Sequence, residues 1–135
     1  QSLEVRGPND LEMAFEAVTR ERAYALMTLP NPRLRLENPT RKRILDFTLN
    51  RRLPSMHEGS EYVEAGGLMS YGPDDKDNFR RAATYVDKIL KGSKASELPV
   101  QQPMKFEFVI NLIAAKQIGL TVPPNLLVRA DRVIK

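Results

Sequence analysis

Apolar positions recur at helical spacing in several stretches of the chain. Leu11, Ala14, Phe15 and Val18 form one stripe, and Ile44, Leu45, Thr48 and Leu49 a second. Phe79, Ala82, Ala83, Val86, Ile89 and Leu90 form a third, followed by Leu112, Ala115 and Ile118. Leu126, Leu127, Ala130, Val133 and Ile134 close the series as a last predicted helix opened by Pro123-Pro124. Between these stripes lie short runs with strand character. Leu3-Glu4-Val5-Arg6 alternates, and Ala23 to Leu29 is nearly all apolar, as in a parallel strand covered on both faces. Leu53-Pro54-Ser55-Met56 is a weak strand, placed near a sheet edge by its proline. Leu68, Met69 and Tyr71 read as a short buried strand, and Phe106 to Ile110 as another.

The punctuation agrees with this division. Asn9 or Asp10 can cap the first helix, with Glu12 in capping-box position after Asn9. Asn38-Pro39 offers a cap and a first-turn proline, and Arg51-Arg52 ends that helix favourably for its dipole. Gly72-Pro73 is expected to break the Leu68–Tyr71 strand, because proline cannot donate to a ladder. Asp74-Asp75-Lys76-Asp77 is an acidic helix start, and Gly92 sits at the C-terminal position. Asn111 can cap a short helix that Gly119 ends. Glu61 to Glu64 predicts one helical turn. The order is β-α-β-α-β-(turn)-β-α-β-α-α, which argues for an α/β fold: a parallel sheet sandwiched by helices, in a single domain over residues 1–135. Pro30-Asn31-Pro32 opens a loop of roughly ten residues, longer than the usual connection.

Composition narrows the function. No apolar run is long enough to span a membrane. The absence of Cys removes disulfides and thiolate metal sites, and a single His leaves no metal cluster, so no metal or cofactor is expected. The net charge is +4, but the basic residues are scattered over predicted helix faces with acidic neighbours, so nucleic-acid binding is not expected. No phosphate-binding glycine loop follows a strand, and no nucleophile elbow surrounds any serine, so an enzyme is not expected either. The chain starts at Gln1, as a processed chain or an excised domain does.

In an open α/β sheet, ligands lie at the carboxyl ends of the strands. Those ends are Arg6-Gly7, Leu29-Pro30-Asn31, Met56-His57 and Ser70-Tyr71-Gly72. The candidate ligand-binding residues are therefore Ser70, Tyr71, Gly72, Asn31, Pro30, His57 and Arg6. Ser70 supplies a hydroxyl and nearby amides, and Tyr71 a ring and a phenol; together they suit an amino-acid-like or aromatic ligand. Arg6 could pair a ligand carboxylate. Each has a plainer reading: Tyr71 as a core aromatic, Ser70 as a turn residue, Arg6 as a solvated edge cation and His57 as a surface-loop histidine.

The stretch from Glu61 through Ala65-Gly66-Gly67-Leu68-Met69-Ser70-Tyr71-Gly72-Pro73 resembles the late signature of substrate-binding proteins of ABC transporters, in the branch related to tryptophan- and tyrosine-type uptake. Phe79 to Gly92, Leu98-Pro99-Val100-Gln101-Gln102-Pro103, Val109-Ile110-Asn111-Leu112 and Ala115 to Pro124 continue it. The resemblance covers nearly the whole chain and is looser from Gln1 to Ser60. It implies one lobe of a type I periplasmic-binding-protein fold, the C-terminal one, with the N-terminal lobe outside these residues. The helix within 74–92 would belong to that other lobe, and in its absence could pair two copies in a dimer. Relatives commonly carry an acidic residue where this chain has Asn31, and the stretch His57-Glu58-Gly59-Ser60 also departs from their pattern, so ligand identity does not carry over. The implied function is capture of a small organic molecule between two lobes for delivery to a membrane permease, in the periplasm or outside the cell on a lipid anchor. The alternative is the effector-sensing core of a transcriptional regulator with the same two-lobed architecture.

Overall fold

The computed structural model describes residues 2–7, 10–30 and 38–135. Its frame is a five-stranded sheet in the order β1 (Leu26–Met27), β2 (Ser55–His57), β3 (Met69–Pro73), β4 (Phe106–Asn111) and β5 (Arg132–Ile134). The helices are α1 (Asp10–Arg20), α2 (Asn38–Asn50), α3 (Ser60–Glu64), α4 (Asp75–Leu90), α5 (Leu112–Ile118) and α6 (Pro124–Leu127), with a 3₁₀ turn at Ala95–Glu97. The α/β sheet flanked by helices is as expected. Every pairing is parallel except that of β3 with β4.

Register fixes which side chains share a face. His57 lies opposite Ser70, and Ser70 opposite Val109. Because side chains alternate along a strand, Ser55, His57, Ser70, Gly72, Val109 and Asn111 share one face. The helix α3 covers it: Tyr62 and Val63 are fully buried, and the Asn111 amide donates to the Val63 carbonyl at 3.3 Å. Met69, Tyr71, Phe108 and Ile110 share the other face. There Ile110 joins Leu68, Ala114, Ala115, Ile118 and Val122 in the main apolar core, with Leu49 packed against it. Asn111 is the hinge between β4 and α5. Its side-chain oxygen accepts from the Ile113 and Ala114 amides, and Gly119 closes the helix with φ 75°. The predicted inward face of α2 is found, with Ile44, Leu45 and Thr48 buried.

Several expectations give way. Leu3–Arg6 joins no ladder; Arg6 instead pairs with Glu4 at the surface. The Ala23–Leu29 run forms only the two-residue β1 and is not covered on both faces: Tyr24 is 95 % exposed, Met27 66 % and Leu29 67 %. The reason is that β1 has a ladder partner on one side only among the described residues. Its other edge opens onto a groove of about 810 Å³ walled by Leu3, Val5, Phe15, Val18, Leu26 and Met27, among others. The β2 strand is not at the edge, because Pro54 precedes its ladder and uses its carbonyl to accept from the Leu26 amide at 2.9 Å. Gly72-Pro73 does not break β3, which runs through Pro73 opposite Phe106. The predicted final helix is α6 followed by β5. Asp131 separates them, since its amide donates to the Phe108 carbonyl and its carboxylate accepts from the Phe108 amide, turning the chain alongside β4.

The antiparallel step has a geometric consequence. Residues 74–105 leave and return at the same end of the sheet, the carboxyl end of β3. Their base is closed by the Asp74 amide donating to the Lys105 carbonyl at 2.9 Å and by the Lys105–Asp74 ion pair at 2.8 Å. The Asp74 carboxylate also caps α4 by accepting from the Asp77 amide. Hydrogen bonding to Lys105 holds the Asp74 carboxyl below its ordinary pKa. Above the base, Tyr85 donates to the Pro99 carbonyl at 2.6 Å, and Arg81 to the Gln101 side chain at 3.3 Å. No residue of α4 is buried; Phe79 is 77 % exposed, and Leu90 81 %.

Candidate functional site

Three neighbouring parallel strands end together, and their carboxyl ends carry a buried polar cluster. Thr28 follows β1, His57 and Glu58 end and follow β2, and Ser70 and Gly72 belong to β3. The cluster is built by a close backbone approach. A Cβ on Gly72 would stand 1.8 Å from the Glu58 carbonyl oxygen. The bare α-carbon of Gly72 is thus what lets the chain after β2 lie on β3. Gly72 serves by its lack of a side chain rather than by an unusual φ, since the glycines with positive φ are Gly66, Gly92 and Gly119.

His57 is the centre of the cluster. It is 1 % exposed and stacks on Tyr62 with ring centroids 4.5 Å apart. The Thr28 hydroxyl donates its one proton to Glu58 Oε2 at 2.5 Å. It must therefore accept from His57 Nδ1, 3.1 Å away, which puts the imidazole proton on Nδ1. Nε2 then accepts from the Ser55 hydroxyl at 3.1 Å. Burial pushes the His57 pKa down to about 4, so the ring is neutral at pH 7. Ser55 and His57 have the separation of a nucleophile and its base. Both are buried and the imidazole is a weakened base, so the pair is ill suited to attacking a substrate; it is the Thr28 contact on Nδ1 that ties the end of β1 to β2.

Ser70 and Glu58 each carry a buried polar atom with no hydrogen-bond partner among the described residues. Ser70 Oγ is one, in a residue 1 % exposed; Glu58 Oε1 is the other, in a residue 8 % exposed. Among the described residues no cation pairs with Glu58.

The predicted site residues separate accordingly. Ser70, Gly72 and His57 lie together on one face, with His57 interior rather than on a surface loop. Tyr71 lies on the opposite face, 54 % exposed rather than in the core, stacked on Phe106 at 5.5 Å and edge-on to Phe108 at 6.4 Å. Pro30 and Arg6 both line the groove beside β1. Arg6 is held by Glu4 at the surface, and that hydrogen bond raises its pKa. Asn31 lies outside the described residues. Sequence reasoning passed over Thr28 and Glu58. Thr28 lay inside the predicted Ala23–Leu29 strand, which in the structure already ends at Met27, and the strand-end rule would have reached Glu58 had it been extended one residue past His57.

Among the described residues no three acidic or histidine side chains are grouped to hold a metal, and no helix is long and apolar enough to cross a membrane.

The family model described as "ABC transporter substrate binding protein" matches residues 1–134. No protein of curated function matches the chain. Among solved structures, a conserved domain protein from Vibrio cholerae O1 biovar El Tor is similar at 27 % identity with a TM-score of 0.81, covering 93 % of this chain and 41 % of its own. The fold is also shared with a Streptococcus pneumoniae ABC domain solved in complex with L-Trp, at 24 % identity and TM-score 0.84, over 99 % of this chain and 45 % of that one. A ligand-free, open substrate-binding protein with adhesive properties from Clostridium difficile shares it at 17 % identity and TM-score 0.64, over 97 % of this chain and 42 % of that one. The chain spans less than half the length of each of these structures.

Proposed function

We propose that this chain, which belongs to the ABC transporter substrate-binding protein family, is the C-terminal lobe of a two-lobed protein that captures a small organic solute for uptake. The observation that carries the reading is the departure and return of residues 74–105 at the end of the sheet that holds Ser70, Gly72 and Glu58. A two-lobed binding protein needs its inter-lobe connection beside its ligand, so that closure about the connection sequesters the solute. The exposed apolar side of α4, with Phe79, Val86 and Leu90, then docks on the other lobe, and in this chain alone it supports a dimer. Binding works by shifting an open–closed equilibrium rather than by chemistry on the solute, so the protein is not an enzyme. Its partners are the solute and the permease of an ABC transporter, and its place is the periplasm or the outer face of the cell on a lipid anchor.

The ligand is an amino acid or a small aromatic compound. The buried polar cluster supports a polar head, and Tyr71 with Phe106 offers exposed aromatic surface on the opposite face. The L-Trp bound to the Streptococcus pneumoniae domain makes aromatic amino acids the place to start. Calorimetric titration of the two-lobed protein against amino acids and small aromatic acids tests the reading. A saturable ligand whose affinity falls in Ser70→Ala or Tyr71→Ala supports it. No ligand from the panel, together with specific DNA binding, favours an effector-sensing regulator instead.

A further inference from the structure

Glu58 is a carboxylate in the wrong place for a purely structural residue. It is 8 % exposed, and among the described residues its one side-chain partner is the Thr28 hydroxyl on Oε2. Among the described residues Oε1 is buried with no donor to accept from. A buried carboxylate without a cation or a full set of donors is costly, and such groups are retained where something else completes them. The nearest titratable ring cannot do so, because His57 faces Thr28 and Ser55 and is neutral at pH 7. The position of Glu58 is also enforced. Gly72 admits the Glu58 backbone onto β3, on the face that carries Ser70, whose hydroxyl is the second unpartnered polar atom.

We infer that Glu58 receives a positively charged amine of the ligand, with the Ser70 hydroxyl as a second polar contact. This rests on the solute-binding reading above and narrows its ligand class to molecules that carry an ammonium. An ammonium carries three N–H donors, enough to serve both acceptors left over, Glu58 Oε1 and Ser70 Oγ. An anion presented to the same place would meet the carboxylate head-on. Thr28, bonded to Oε2, fixes the carboxylate so that the other oxygen, Oε1, stays available.

The test uses the full two-lobed protein and a panel of L-amino acids, each paired with its desamino acid, in which hydrogen replaces the amine. Titration calorimetry on the unaltered protein should show amine-bearing members binding about tenfold or more tighter than their desamino partners, the size of a hydrogen bond to a charged group. Glu58→Gln keeps the shape and the Thr28 contact, and should weaken the amine-bearing members by a similar factor while leaving any desamino binding unchanged. Equal affinity within each pair overturns the inference, as does undiminished binding by a folded Glu58→Gln protein. The pairwise comparison needs no variant, so equal affinities overturn the inference even if Glu58→Gln fails to fold, in which case Glu58→Asp, which keeps the charge but draws it back, should weaken the amine-bearing members selectively. If no panel member binds the unaltered protein, the solute-binding reading itself fails, an outcome distinct from binding that ignores the amine.

Discussion

Replacing Gly72 by alanine is the sharpest probe of how this lobe is assembled. The added methyl would stand 1.8 Å from the Glu58 carbonyl oxygen and 2.9 Å from its carbonyl carbon. Both obstacles are backbone, so no side-chain rotation relieves the clash. Either β3 moves away from the chain after β2, or the Gly72–Glu107 and neighbouring pairings with β4 distort. Overpacking a well-filled site typically costs 1–3 kcal/mol, and a rigid obstacle puts this case at about 3 kcal/mol or above. For a chain of 135 residues that is a fall in Tm of about 10 °C. Gly66→Ala is the control: its Cβ meets open space, and only the φ of 107° opposes it, so the loss should be nearer 1 kcal/mol. Urea unfolding of both variants, monitored by circular dichroism, measures the difference. A Gly72→Ala protein as stable as Gly66→Ala would refute the close approach of Glu58 to β3, and with it the placement of the polar cluster.

Three further outcomes follow from the same description. His57 has a folded pKa of about 4 against an ordinary 6.5, so the unfolded chain binds the extra proton; stability should be fully present above pH 6.5 and fall by about 3 kcal/mol as pH drops to 4. His57→Gln should lose that component when unfolding is measured across this range; an unchanged pH slope would contradict the neutral, buried ring. Asn111→Ala removes the α5 cap and the bond to the Val63 carbonyl, and should cost about 1–2 kcal/mol in chemical denaturation; a loss under half of the lower figure would show that the cap is dispensable. Hydrogen exchange should show the α4 amides opening at lower free energy than those of β3 and β4, with Tyr85→Phe accelerating the first group alone; a single common exchange rate would mean that residues 74–105 open only with the sheet.

Much of the framework was legible in the residues because local chemistry and tertiary packing agree there. Asn111 and Gly119 bracket α5 by capping alone, and the stripe Ile44, Leu45 and Thr48 turns inward on α2 as its period requires. The failures have a common origin in partners distant along the chain. Ala23–Leu29 has the composition of a doubly covered strand, but composition cannot say whether a neighbour is present to cover it. Val133 and Ile134 fit a helical stripe and a strand equally well; the Asp131–Phe108 pairing, 23 residues apart, decides for the strand. At the candidate site, the strand-end rule named Ser70, Gly72 and His57, which the register brings onto one face. The burial of Glu58 was not legible, because a Glu before Gly59 reads as solvated loop and its enclosure depends on Gly72 across the sheet.

The side of β1 that pairs with no strand among the described residues makes concentration a variable in any experiment on this chain. Among the described residues the side of β1 away from β2 pairs with no strand and borders an apolar trough, where another extended segment can lie down. Tyr24, Met27 and Leu29 add sticky, water-facing surface along the same border. Preparations of these 135 residues should therefore be handled dilute and judged by light scattering before any affinity is read from them, since association through this border would mimic a loss of binding sites.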